Sequence, residues 1–257
     1  MVGLDIAGID LVAQDISKPL LAQGGAVVEV NAGPGLLMHL KPAIGQPRPV
    51  GQAIVSHLFE PQQATRIPVV GIMGRTQTTE LAHLVNWLIH LSGQRTGLAS
   101  ARGLFMDQRL VDPKDARVFE ASQRLLINRA LDAAVFENTP LQVLDEGLPY
   151  DRCHVGVLTG MPDHSGLEDH DILTPEQVRN VVRTQIDLVL PEGAAVLNAE
   201  DEAVVELAEL CDGEVIYYAA DEHNHCVQQH LKKQGRAVYF SKGQVMMSRG
   251  TYEHSLL

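Results

Sequence analysis

From Ile67 onward, short apolar runs alternate with longer stretches of helical periodicity, and the first run, Ile67-Pro68-Val69-Val70-Gly71-Ile72-Met73-Gly74, ends on a glycine just before a helix opens. Few folds accept this alternation. Strands joined by crossover helices lie parallel in one sheet with helices on both faces. The pattern predicts strands over 67–73, 95–100, 132–137, 152–158, 194–198 and 214–218, and helices over 78–92, 114–128, 174–189 and 201–210. Thr174-Pro175-Glu176 opens the third helix, with threonine as cap and proline at the first helical position. Sheets wound this way bind ligands at the carboxyl ends of their strands. A small hairpin is expected over 105–110, inserted after the second strand. Past Asp221 the pattern predicts a short helix over 227–233, strands over 237–241 and 244–247, and a frayed end.

The N-terminal part reads differently. Strands are expected over 6–12 and 26–31, then a turn at Gly33-Pro34-Gly35 and a helix over 50–58 with Ala53, Ile54, His57 and Leu58 on one face. Two strands and one helix make a poor core, so this segment reads as the end of a larger domain, and 60–65 reads as a linker.

The formal net charge of -12 repels a phosphate backbone, and no lysine/arginine-rich run offsets it, which argues against nucleic acid as a partner. No apolar stretch approaches the roughly 20 residues that span a bilayer, so no membrane partner is expected. The three cysteines, Cys153, Cys211 and Cys226, are odd in number and lack Cys-x-x-Cys spacing, as in a reduced, cytoplasmic protein. Leu84, Trp87, Leu88 and Leu91 form a helical stripe expected to pack into the core. His223, His225, Cys226 and His230 carry metal-ligand chemistry, but their spacing fits no standard zinc motif.

Two stretches carry more specific chemistry. In Glu29-Val30-Asn31-Ala32-Gly33-Pro34-Gly35 the glutamate and asparagine are two residues apart on a strand, so both point to one face and offer oxygen ligands to a hard cation such as Mg²⁺. The second is the strand, loop and helix around Gly74-Arg75-Thr76-Gln77-Thr78-Thr79-Glu80, which is the frame of a phosphate-binding loop.

The first stretch resembles the ATP-grasp ligases, in which the glutamate and asparagine hold magnesium. Asp10, in Gly8-Ile9-Asp10-Leu11, stands where that family supplies its other metal-binding acid. The run from Val2 to Asp10 and Gly35-Leu36-Leu37-Met38-His39-Leu40 resemble the cyanophycin synthetase family in particular, although Leu37 stands where an arginine is usual. In that family, as in other Mur-type ligases, the loop after the first Mur-like strand reads Gly-Thr-x-Gly-Lys-Thr. An ungapped match through Thr96-Gly97 puts Gln77 at the second glycine and Thr78 at the lysine, leaving Gly74, Thr78 and Thr79 as a degenerate phosphate site.

The resemblance extends through Glu146-Gly147-Leu148, Tyr150-Asp151-Arg152-Cys153, Val155-Gly156-Val157 and Ala195-Val196-Leu197-Asn198. It implies that Glu137 and His164 belong to a second metal site, and that Asn198 and Asp201 lie near the nucleotide base. Pro140, Leu141 and Gln142 replace an Arg-Gly-Gly of the family, and Val182 replaces a lysine. The expected fold is therefore α/β: a Mur-ligase-like, P-loop-type, mostly parallel sheet flanked by helices, preceded by an incomplete ATP-grasp C-terminal segment. Its expected divisions are an ATP-grasp fragment over 1–62, a degenerate Mur-like domain over 67–222, and a residual tail over 223–257 with no complete C-terminal ligase domain.

The resemblance implies an ADP-forming ligase that uses ATP and Mg²⁺ to join Asp and Arg into cyanophycin, or to join β-Asp-Arg dipeptides. Its implied partners are the remaining ATP-grasp portion or a second copy of the chain. The lost loop residues argue against ATP at the Mur-like site. An inactive structural or interaction module derived from such a ligase is the alternative expectation.

Overall fold

The computed structural model of the chain describes residues 4–59 and 66–256. Val2, Gly3 and the stretch 60–65 expected as a linker lie outside them. The chain divides into two compact units at Thr65/Arg66.

In the first unit β1 (Gly8–Val12) and β2 (Ala26–Asn31) pair antiparallel, followed by α1 (Leu37–Leu40) and α2 (Val50–Leu58). None of its described residues is buried. Two strands have no second layer to pack against, so Ile9, Val12, Val28 and Val30 stay exposed.

The second unit opens with β3 (Val69–Met73), α3 (Thr78–Leu91), β4 (Thr96–Ser100), β5 (Gly103–Met106) and β6 (Arg109–Asp112). It continues through α4 (Phe119–Leu126), β7 (Ala133–Glu137), α5 (Pro140–Asp145), β8 (Cys153–Leu158), α6 (Pro175–Val182), α7 (Thr184–Asp187) and β9 (Val189–Asn198). Last come α8 (Glu202–Val205), β10 (Glu214–Ala219), α9 (His225–Lys232), β11 (Arg236–Ser241), β12 (Gln244–Arg249) and β13 (Tyr252–Ser255). The strands form one 11-stranded sheet in the order β13-β12-β11-β10-β9-β8-β3-β7-β4-β5-β6. Pairing from β4 through β11 is parallel, and antiparallel hairpins finish both edges. This is a Mur-ligase-like α/β architecture. Strand β3 sits between β7 and β8, so the winding direction reverses beside it and opens a crevice at its carboxyl end.

Local chemistry accounts for several element boundaries. Thr174 caps α6 in a full capping box with Gln177, with Pro175 at the first helical position. At α5, a helix absent from the sequence reading, Thr139 accepts from Gln142 N–H as cap and Pro140 takes the first helical position, without the reciprocal side-chain bond. The hairpin turn holds Asp107 and Gln108 at φ 47° and 66°, as a two-residue type I′ connection requires.

The helix expected from 114 begins only at Phe119. The carboxylates of Asp112 and Asp115 accept from the backbone N–H groups of Lys114 and Arg117, and these Asx turns hold the chain out of helix. Residues 223–257, read from the sequence as a tail, add α9 and three strands to the main sheet, with β11 parallel to β10. The end expected to fray pairs as β13.

The stripe on α3 is a correction. Leu84, Trp87, Leu88 and Leu91 are 53%, 47%, 56% and 62% exposed rather than core. The helix seats itself through Ala82 and Asn86, with Leu81, Val85 and Ile89 partly buried behind them. The period is helical, but its larger side chains face outward.

Candidate functional site

In the first unit, Asp10 on β1 lies directly opposite Glu29 on β2, and Gly8 lies opposite Asn31. Cross-strand partners project to one side of a strand pair, so both carboxylates and the Asn31 amide share a face. The Asn31 amide nitrogen donates to Glu29 Oε1 at 2.6 Å. Gly8 is needed here for space: a Cβ would sit 2.7 Å from Pro34 Cβ, because the Gly33-Pro34-Gly35 turn folds back over the strand. Both acids are exposed and Asn31 is half-buried. Two carboxylates and an amide oxygen on one wet face are ligands suited to Mg²⁺.

In the second unit the crevice gathers the ends of β3, β7, β8 and β9. Gly74 packs under the next strand's loop: a Cβ there would fall 2.0 Å from Thr159 Oγ1. Arg75 turns away from the loop and donates through Nε to the Met161 carbonyl at 2.9 Å. Gln77 keeps the left-handed backbone, φ 59°, that a glycine adopts without strain. The loop thus retains its backbone course while a longer side chain occupies the glycine position.

The threonines that follow point inward. Thr78 Oγ1 and Thr79 Oγ1 both donate to Glu137 Oε1, at 3.0 and 2.8 Å, and Ala101 N–H donates to Glu137 Oε2 at 2.8 Å. Arg117 Nη1 stands 3.6 Å from Oε1. Its pKa is raised, first by hydrogen bonding to Asp115 and further by the charges of Asp115 and Glu137. The Glu137 carboxylate is buried, with its side chain 1% exposed, and both oxygens are engaged. Glu80, in the first turn of the helix, pairs with Arg102 at 2.6 Å.

The residues expected near a nucleotide base hold a loop. Asn198 Nδ2 donates to the Thr159 carbonyl at 3.1 Å, and Met161 N–H donates to Asp201 Oδ2 at 2.7 Å. The Tyr218 hydroxyl reaches the same Thr159 carbonyl at 3.4 Å, and burial ahead of Glu200 and Asp201 pushes its pKa up to about 12. His164 is half-buried in that loop, where its carbonyl accepts from Leu167 N–H. Among the described residues, the hydrogen-bond and ion-pair partners of Glu137 are Thr78, Thr79, Ala101 and Arg117, not the His164 ring.

Gly74, Thr78, Thr79 and Glu137 are therefore brought together, and Asn198 and Asp201 join through the loop at 159–161. Arg117, Ala101 and Thr159 were absent from the sequence reading. Arg117 lies 20 residues before Glu137 in a non-periodic turn, and only the sheet order brings the two together. In the stretch of His223, His225, Cys226 and His230, whose spacing fits no zinc motif, the intervening Asn224 caps α9 and His230 Nε2 lies 3.0 Å from the Val215 carbonyl. Among the described residues no group of three or more His, Cys, Asp or Glu could hold a metal ion, and no helix is long and apolar enough to cross a membrane.

A parallel sheet with a phosphate-loop frame at its switch point defines a Mur-ligase-type fold. In agreement, a solved UDP-N-acetylmuramoyl-L-alanyl-D-glutamate--2,6-diaminopimelate ligase matches with a TM-score of 0.57 at 12% identity, over 80% of this chain and 41% of that one. Along the sequence, this chain is 34% identical over 253 residues to cyanophycin synthetase of Synechocystis sp., covering 98% of this chain and 29% of the relative. It is 32% identical over 257 residues to cyanophycin synthetase of Nostoc sp., covering 100% and 28%. The chain is thus homologous along its whole length to part of cyanophycin synthetase. It spans less than a third of the curated relatives it matches. No family model matches it.

Proposed function

We propose that this chain is a portion of an ATP-dependent, amide-bond-forming ligase of the cyanophycin synthetase type, working on Asp, Arg, β-Asp-Arg dipeptide or cyanophycin. In this reading the first unit is the closing segment of an ATP-grasp domain, with Asp10, Glu29 and Asn31 as ligands for magnesium. The carrying observation is their placement on one exposed face, with Asp10 opposite Glu29. Magnesium bound there supplies charge neutralisation for the phosphates of ATP. The exposed carboxylates supply oxygen ligands, and Asn31 orients Glu29 through its amide. In such a ligase a carboxylate takes the terminal phosphoryl group with release of ADP, and an amine then displaces phosphate to form the amide.

The second unit is proposed as scaffold. Glu137 already accepts from two hydroxyls and a backbone N–H beside a guanidinium, so it does not fit the role of a metal ligand, and we derive no step through it or His164. Arg75, the cation next to Gly74 in the chain, donates to the Met161 carbonyl and so does not replace the lysine of a working loop.

The same closed loop favours a second reading, an interaction module with no ligase chemistry. An assay of ADP release and chain lengthening with ATP, Mg²⁺ and β-Asp-Arg dipeptide separates the two. Ligase activity lost in Glu29→Gln and kept in Thr79→Ala supports the first. No activity at all favours the module, and activity lost in Thr79→Ala but kept in Glu29→Gln overturns the site assignment.

A further inference from the structure

Among the described residues, α3 is the only helix that packs on its face of the main sheet. The core beneath it takes Leu81, Ala82, Val85 and Ile89 from α3 and nothing from another helix, while α4 to α9 pack into the core on the opposite face. Parallel sheets are normally covered on both faces. Here an open slot of about 1010 Å³ lies beside α3, floored by β8 to β11.

The slot has two unlike ends. Its walls are apolar, with Val155, Val196, Ile216 and Val238 from the strands and Leu84 and Ile89 from the helix. Polar groups gather where the strands end: Gln77, Glu80, Thr159, Asn198 and Tyr218. Because α3 joins β3 to β4 in a parallel run, it leads back from those ends and puts Ile89 at the other. An apolar pocket with a few convergent polar groups is the usual form of a small-molecule site. Glu80 is the one charged residue among those lining it. Arg102 bonds to its Oε1, and Oε2 accepts no hydrogen bond from the described residues. Asn198 and Tyr218 are already engaged on the Thr159 carbonyl, and Arg75 is turned to Met161. The Glu80 carboxylate is therefore the group that sets which charge the polar end accepts.

We infer that the slot binds an amphipathic cation, an aliphatic amine or guanidine whose tail lies along Val196 and Ile216 and whose head meets Glu80. Burial of the tail supplies the larger part of the affinity, and the charge-assisted bond to Glu80 fixes its direction. A carboxylate head on the same tail meets like charge. The site is separate from the Gly74 loop and from the face of Asp10, Glu29 and Asn31, so it stands whether or not the chain has ligase chemistry.

The test is isothermal titration of the full chain with octylammonium, octanol and octanoate, which share one tail, and with butylammonium, which keeps the head on a shorter one. All are used below the concentrations at which they form micelles. Octylammonium should bind with a Kd of about 1 mM or tighter, octanol about fivefold more weakly, and octanoate more weakly still. Butylammonium should lose at least about tenfold, because fewer methylenes are buried. Glu80→Gln should bring octylammonium down to the affinity of octanol. Leu84→Lys sets a cation one turn on from Glu80, where the two pair on the helix, and should do the same. Both positions are exposed, so circular dichroism should be unchanged. Val196→Phe, which fills the slot, should weaken every octyl probe. Equal affinity for octylammonium and octanoate, octylammonium binding that survives both Glu80→Gln and Leu84→Lys, or no binding of any octyl probe would each overturn the inference. So would octylammonium binding that falls as the chain's own concentration rises, which gives the slot to a second copy.

Discussion

Thr79 Oγ1 donates to Glu137 Oε1 over 2.8 Å, joining the first turn of α3 directly to the end of β7. With Thr78 on the same oxygen and Arg117 at 3.6 Å, protein groups alone satisfy the one fully buried carboxylate of the crevice. A loop whose partners are all internal is a joint in the fold.

Removing that carboxylate should therefore cost stability. Glu137→Ala leaves Ala101 N–H without an acceptor and the Arg117 charge with less compensation, an expected loss of about 3 kcal/mol. Urea unfolding of the two proteins measures it. A loss below about 1 kcal/mol would show the carboxylate to be dispensable for folding.

His83 on α3 should make stability sensitive to mild acid. Its pKa is lowered, chiefly by burial and then by Arg102, against the opposing pull of Glu137 and Glu80. The unfolded chain binds this proton near pH 6.5 and the folded chain resists it. The contribution is therefore complete above about pH 6.5 and is lost as pH falls through the folded value. The Tm of the wild type should drop more steeply from about pH 7 to 5 than that of His83→Gln, whose amide can still reach Ser100. Equal slopes would contradict this.

Cys153 should be inert. It is buried at the start of β8, and burial pushes its thiol up to about 12, so almost no thiolate exists near neutrality. Alkylation of the native protein at about pH 8, followed by mass spectrometry, should label Cys211 and Cys226 ahead of Cys153, and denaturant should release all three. Native labelling led by Cys153 would contradict its placement.

The sheet was legible because its strands are continuous apolar runs bounded by turns, and β3 and β7 agree with the sequence reading to within two residues at each end. Two helices were harder. Pro140 was read as the replacement of a family arginine rather than as a first-turn proline, so the Thr139 cap went unread. Asp112 and Asp115 stop a helix by side-chain bonds that periodicity cannot register.

The α3 stripe misled for a different reason. Spacing shows that Leu84, Leu88 and Leu91 share a face, but only packing shows that the small residues Ala82 and Asn86 are the ones turned inward. In the crevice, the residues of the loop were visible, while Arg117 and Thr159 reach it through sheet order and the close approach at Gly74.

Isothermal titration of the full chain with ATP and Mg²⁺ probes the closed loop most directly. The expected result is no association at the Gly74 loop tighter than about 1 mM, some 4 kcal/mol of binding free energy. Tighter binding that survives Glu29→Gln and disappears in Thr79→Val would place the nucleotide in that loop and contradict the account.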